Sequence, residues 1–263
     1  MEKRFAPKIT QTINKDRDNL VYGVHPVLET ILAGKEIEKA LVQHGLRSQP
    51  LSEIIYELKK RNFPYQFVPE EKLISLCGKT HQGIACFVAP IKYASLENII
   101  NATFEAGRVP FVIVLDRVTD VRNFGAIARS AECAGVDAII IPNKGSAQIN
   151  SDALKTSAGA LNYIPVCREE NLKETLAFLK HCGLSIIGVT EKANKELFFV
   201  PLTGPVAIIL GSEEEGISGE YLRLCDHTLK IPMAGKVDSL NVSVAAALVL
   251  YESVRQKMVA VEL

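Results

Sequence analysis

The chain has 263 residues, 48% of them hydrophobic, with 30 Lys plus Arg against 30 Asp plus Glu and a formal net charge of zero. This supports one large or two modest folded domains and excludes the overall basic balance of a generic nucleic-acid coat, though not a local basic patch. No apolar run reaches the roughly 18 residues of a membrane span, and the polar start lacks the apolar core of a secretory signal, so a cytoplasmic protein with no membrane partner is expected.

Residues 1–18 mix Lys3, Arg4, Lys8, Lys15 and Arg17 with few apolar side chains and are expected to form a flexible tail. Residues 19–91 read as a small α/β unit. Tyr22-Gly23-Val24-His25 leads into a helix with Pro26 near its start and Gly34 after its end. Lys39-Ala40-Leu41-Val42 reads as a strand. Leu51, Ile54, Ile55 and Leu58 mark one face of a helix over residues 51–61. Residues 65–68 form a second strand, 70–76 a short helix and 83–88 a third strand. Residues 92–109 are less apolar and are expected to be a linker, with room for a short helix.

From Pro110 the pattern changes. Phe111-Val112-Ile113-Val114-Leu115, Ala138-Ile139-Ile140-Ile141, Ser185-Ile186-Ile187-Gly188-Val189 and Val206-Ala207-Ile208-Ile209-Leu210 are short, continuous apolar runs. Such runs, separated by helix-like segments, predict strands of a parallel sheet covered on both faces. Helices are expected over residues 124–134, 151–160, 172–182, 219–224 and 242–259. The last is apolar around most of its circumference, which suggests a subunit interface. Residues 110–263 would form this second domain.

Ligands of open parallel sheets bind beyond the carboxyl ends of the strands, here after Leu115, Val189, Leu210 and Ile231. After Leu115, Asn123 is a plausible helix cap, Gly125, Ala126 and Ala128 permit close approach, and Arg129 calls for an anion or for solvent. Thr190 and Glu191 follow Val189. Gly211-Ser212-Glu213-Glu214-Glu215-Gly216 sets three acids between glycines, which suits a cationic or hydroxyl-rich ligand better than a phosphate. No Walker lysine is present, and no Gly-x-Gly-x-x-Gly follows a strand, so a dinucleotide site is not supported. After Ile231, Ser239 and Asn241 stand at a helix start. The six cysteines form no Cys-x-x-Cys pair and the five histidines do not fall at metal-ligand spacing. Buried free thiols and no metal are expected.

Three blocks in order, residues 123–129, 210–216 and 231–243, together resemble motifs one, two and three of the SpoU/TrmH branch of the SPOUT RNA methyltransferases. Residues 22–25, 81–84 and 146–150 are similar to stretches of the bacterial 23S rRNA guanosine 2′-O-methyltransferases, and the likeness runs from about Leu20 onward. Val121 stands where family members often carry proline. The resemblance implies an α/β SPOUT domain with a parallel sheet and a C-terminal trefoil knot, preceded by a small α/β RNA-binding domain. It implies methyl transfer from S-adenosyl-L-methionine to a ribose 2′-hydroxyl, most simply of a guanosine in 23S rRNA, by a homodimer. Asn123, Arg129, Glu213, Ser239 and Asn241 would be catalytic. Thr190, Gly211, Ile231, Met233, Leu240 and Asn241 would hold the cofactor. Arginine stays protonated, so Arg129 would bind phosphate and stabilise developing alkoxide charge. Lys35, Lys39, Arg47, Lys59, Lys60 and Arg61 could contact RNA phosphates. The alternatives are a tRNA or an rRNA-adenosine target, or a non-catalytic RNA-binding factor that retains the fold.

Overall fold

The computed structural model describes residues 19–237 and 239–261, and the tail expected over residues 1–18 lies outside them. The first unit runs β1 (Leu20–Tyr22), α1 (Val24–Leu32), β2 (Ile37–Gln43), α2 (Gln49–Lys60), β3 (Tyr65–Val68), α3 (Glu70–Cys77) and β4 (Ile84–Val88). Its sheet has the order β1-β4-β2-β3. Only β2 and β3 are parallel neighbours; β4 runs antiparallel to both β1 and β2. The sheet therefore has four strands where three were expected. Leu20–Tyr22 is only three residues long, too short to show an alternation, and its place is fixed by pairing Val21 with Cys86. In α2, Ser48 caps the first turn by accepting from Leu51 N at 3.3 Å, and Leu51, Ile54 and Leu58 are buried against Ile31, Ile37 and Val42.

The second unit holds α4 (Leu96–Glu105), β5 (Phe111–Leu115), α5 (Val121–Cys133), β6 (Ala138–Pro142), α6 (Ser151–Thr156), β7 (Val166–Glu169), α7 (Leu172–His181), β8 (Ser185–Val189), β9 (Lys195–Glu196), β10 (Val206–Leu210), α8 (Gly219–Leu222), β11 (His227–Lys230) and α9 (Val242–Val261). Seven strands pair in the order β7-β6-β5-β10-β8-β11-β9, all parallel. The four long apolar runs occupy four adjacent central places. Alternation along β5 explains the layers. Phe111, Ile113 and Leu115 pack with Phe124 and Ile127 of α5 and with Ala246 and Val249 of α9. Val112 and Val114 pack with Leu96 and Ile100 of α4 and with Leu172 and Leu176 of α7 on the other face. The segment read as a linker thus carries a ten-residue helix whose buried side is part of the second core. Among the described residues no helix is long and apolar enough to cross a membrane.

Helix α5 begins three residues earlier than expected. Asp120 is its cap, accepting from both Arg122 N and Asn123 N at 2.8 Å. Val121 occupies the first helical position, where proline is favoured but not required. The earlier start leaves the Asn123 side chain free for other partners. Gly125 serves packing: a Cβ there would lie 2.8 Å from Ala153 O and 2.8 Å from the Thr156 Cβ. What approaches this small-residue surface is α6.

Candidate active site at the carboxyl edge of the parallel sheet

The carboxyl ends of β5, β8, β10 and β11 lead into four loops on one edge of the sheet. At the end of β5, Asp116 is only 2% exposed and its backbone N donates to Leu210 O at 2.8 Å. Its carboxylate accepts from Ser218 N at 2.7 Å and from Arg117 Nε at 3.0 Å. Arg117 has a left-handed backbone, with φ 60°. From there its guanidinium pairs with Glu215 and donates to Gly216 O at 3.3 Å. Hydrogen bonding to Asp116 raises the guanidinium pKa above its ordinary value, with Glu215 adding to the effect. Arg117 therefore clamps the acidic loop to the end of β5.

The acidic loop closes on itself. Ser212 and Gly216 exchange backbone hydrogen bonds at 3.2 and 3.0 Å, and Ser212 Oγ accepts from Glu215 N at 3.1 Å. Gly211 sits beneath this closure: a Cβ there would lie 1.9 Å from Gly216 C and 2.0 Å from Ile217 N. Glycine is needed because the chain folds back onto it, a reason internal to the loop.

Beyond these strand ends lies a cavity of about 360 Å³ lined by Val189, Thr190, Glu191, Lys192, the stretch from Leu210 to Gly216, Ile231, Met233, Ser239, Leu240, Val242 and Ala245. Five of the six expected cofactor residues, Thr190, Gly211, Ile231, Met233 and Leu240, line it. Asn241 does not. Its side chain turns instead to the rim, where its Nδ2 donates to Asn123 Oδ1 at 3.0 Å and to Glu213 Oε1 at 3.3 Å. Asn123 Nδ2 also donates to Glu213 Oε1. Asn241 Oδ1 accepts from Ser243 N at 2.9 Å and Ser243 Oγ at 2.6 Å, the hydrogen bonds of a helix cap. Three residues from three distant stretches thus form one polar cluster beside the cavity.

Ser239 is exposed and lines the cavity. Arg129 is also exposed, but it joins neither the cavity nor the cluster, and it has no hydrogen bond or ion pair among the described residues. Six residues of helix separate it from Asn123, about 9 Å along the axis and about 120° around it. Arg117, Asp116 and Asp120 were not singled out from the sequence. Their signal was an Asp-Arg pair at a strand's carboxyl end, where ligand loops begin.

Cysteine chemistry has no place here. Burial pushes the Cys86 and Cys167 thiols up to about 12 and the Cys225 thiol up to about 11, so none of the three is a thiolate near neutral pH. Cys86 and Cys167 are buried, while Cys133 is exposed, contrary to the expectation for that residue. Among the described residues no group of three or more His, Cys, Asp or Glu is arranged to hold a metal ion.

Residues 110–251 match the SpoU rRNA Methylase family, and residues 20–94 match a segment described as RNA 2′-O ribose methyltransferase substrate binding. A protein of Staphylococcus haemolyticus named for the TrmH family of tRNA/rRNA methyltransferases is 36% identical over 91% of this chain and 96% of its own length. Its counterpart in Staphylococcus epidermidis is 38% identical over the same shares. Among solved structures, the SpoU methyltransferase AviRb from Streptomyces viridochromogenes, in complex with the cofactor AdoMet, superposes with a TM-score of 0.59 at 26% identity, covering 91% of this chain and 90% of its own.

Proposed function

Because the chain belongs to the SpoU/TrmH family of RNA methyltransferases, we propose that it transfers a methyl group from S-adenosyl-L-methionine to a ribose 2′-hydroxyl of RNA, with a guanosine of 23S rRNA as the target. The observation that carries this reading is the Asn123–Glu213–Asn241 cluster, which joins residues of all three motif blocks at the rim of one cavity.

The cavity suits the cofactor. Its volume lies within the range of small-ligand sites. Val189, Leu210, Ile231, Leu240, Val242 and Ala245 give it an apolar wall, while Glu191 and the three acids of the 213–215 loop complement a cation. When bound, the cofactor supplies an electrophilic methyl group on a positive sulfonium. The protein's task is then to hold the hydroxyl in line and to stabilise the charge that develops on it. Both amide groups of the cluster donate to the same oxygen of Glu213, leaving Oε2 to accept from the ribose hydroxyl. Asn123 and Asn241 fix that carboxylate, and the helix start at Asn241 fixes the loop carrying Ser239. Arg129, exposed and unpaired among the described residues, binds the phosphate beside the target ribose and stabilises the alkoxide.

Transfer of tritiated methyl to in-vitro-transcribed 23S rRNA, followed by nucleoside analysis, tests the reaction. A labelled 2′-O-methylguanosine is expected; label on a base, or on tRNA and not rRNA, would sink the assignment. Arg129→Ala is expected to lower transfer by roughly 10³-fold, the upper range for one charge-stabilising group, while calorimetric cofactor binding survives. Equal loss of both would move Arg129 into the cofactor site.

The first unit, with its match to a substrate-binding segment, would choose the RNA. The assembly we infer is a homodimer through α9, where Val244, Leu248 and Tyr251 share one face and are each at least 44% exposed. A monomeric mass by light scattering at micromolar concentration would overturn it. The family likeness further implies a knotted carboxyl-terminal segment.

A further inference from the structure

A second cleft, of about 340 Å³, opens between the two sheets. Lys39 and Gln66 line it from the first unit; Asn143, Lys144, Gln148 and Arg168 line it from the second. Lys39 and Gln66 project to the same face of neighbouring strands, because Leu41 pairs with Gln66 in register and residues two apart share a face. Lys39, Lys144 and Arg168 face a single acid, Glu38, among the described lining residues. The cleft is therefore positive on a chain that is neutral as a whole.

Two buried polar atoms at this cleft have no partner among the described residues, Asn143 Oδ1 and Arg168 Nε. Neither group is loosely held. Asn143 Nδ2 donates to Asn62 O at 3.3 Å. Arg168 Nη1 donates to Ile37 O at 3.2 Å, Arg168 Nη2 engages Glu38 and Tyr93, and the side chain is only 10% exposed. These groups are buried in the wall of the cleft, while the exposed amides of Gln66 and Gln148 each offer it an acceptor and a donor. A nucleobase edge carries both complementary kinds of group, and lysines suit the phosphate beside it.

The cleft is also tied to the methyl-transfer site through one loop. The loop over residues 143–150 is tied to the catalytic edge by Ala147 N donating to Val118 O at 2.8 Å, and to the first unit by Ile149 N donating to Glu38 Oε1 at 3.0 Å. Within it, a Cβ at Gly145 would lie 3.7 Å from the Arg117 Cγ. Arg117 borders a depression of about 260 Å³ that shares Ser212, Glu213, Glu214 and Glu215 with the cofactor cavity. Cavity and depression thus share the acidic loop, and the depression and the cleft are lined by residues that meet at Arg117 and Gly145.

We propose that the cleft is a second nucleotide-recognition subsite, holding a base and phosphate of the RNA strand near the methylated residue. Gln66 and Gln148 read the base edge, and Lys39 and Lys144 hold the phosphate. This rests on the RNA-methyltransferase reading above and extends it from reaction to target choice.

Filter binding of in-vitro-transcribed 23S rRNA to the full chain, over a series of KCl concentrations, tests the subsite. Lys144 and Gln148 are both exposed, so their substitution leaves the core intact. Lys144→Ala is expected to weaken binding and to lower the slope of log affinity against log salt by roughly 0.7 to 0.9, the signature of one lost phosphate contact. Gln148→Ala is expected to weaken binding about tenfold with the salt slope unchanged, as a base-edge contact would. Unchanged affinity and slope in both variants overturns the subsite, even if methyl transfer proceeds. Weakened binding in the variants of a protein that methylates no RNA upholds the subsite and overturns the reaction. No RNA binding by the unaltered chain overturns both.

Discussion

Two polar networks join distant parts of this chain, and they differ in burial. Asn123, Glu213 and Asn241 meet at the open rim of the cavity at the carboxyl edge of the parallel sheet, and Glu213 is exposed. Glu38, Tyr93 and Arg168 meet between the two sheets, with the Glu38 side chain 6% and the Arg168 side chain 10% exposed. Tyr93 donates to Glu38 at 2.5 Å, and the Arg168 guanidinium carbon lies 3.7 Å from the centre of the Tyr93 ring. Water can replace any partner lost from the first network. In the second, a lost partner leaves a charge stranded in low dielectric. The rim network therefore contributes little to stability, while the joint holds the first unit against the parallel sheet.

Glu38→Ala should produce the largest change. It strands the Arg168 charge and removes the acceptor of Ile149 N. Breaking a buried pair on one side costs about 3–5 kcal/mol, which urea unfolding would read directly. A double variant with apolar residues of similar volume at 38 and 168 should recover most of that loss. If Glu38→Ala costs less than about 1 kcal/mol, the joint is wet and the contrast between the networks collapses. Glu213→Ala is the converse case. It should lower kcat by about 10²-fold, the cost of losing one positioned polar group in a reacting site, with the urea midpoint nearly unchanged. A large loss of stability would show that the rim cluster holds the fold together.

The same contrast explains what could be read from residues alone. The central strands were legible because continuous Val and Ile runs mark strands buried on both faces. β7 and β9 were not, being short, mixed in polarity and placed at the sheet's two edges. The start of α5 was misplaced because Asp120 and Asn123, three residues apart, are both good caps. Spacing cannot decide which one accepts from the backbone. Gly211 has a further role that spacing did not show, which is to let Gly216 and Ile217 fold back against it. The rim cluster could be anticipated only through the family's motif blocks. The joint could not be anticipated at all: its members lie 55 and 75 positions apart, and each looks like an ordinary surface residue until the two units are docked.

Tyr93→Phe is the finest test of the joint, because it removes one hydroxyl and keeps the ring beneath Arg168. The lost hydrogen bond is to a charged group, so the expected cost is about 1.5–3 kcal/mol, at the lower end because Arg168 still pairs with Glu38. kcat should not change, as the residue touches neither the cofactor cavity nor the rim. The substitution should also alter the response to alkali. Burial, with the Glu38 carboxylate beside it, raises the Tyr93 pKa well above the ordinary value of 10.0. In the unfolded chain the phenol ionises near 10, while in the folded chain it stays protonated. The unfolded state then binds fewer protons, so stability falls as pH rises from about 10 toward the folded value. Tyr93→Phe should flatten that fall. It should not abolish it, because the pKa of Tyr221 is also raised, chiefly by burial. Identical alkaline slopes in the two proteins would mean that Tyr93 titrates in contact with solvent, and that the joint is no drier than the rim.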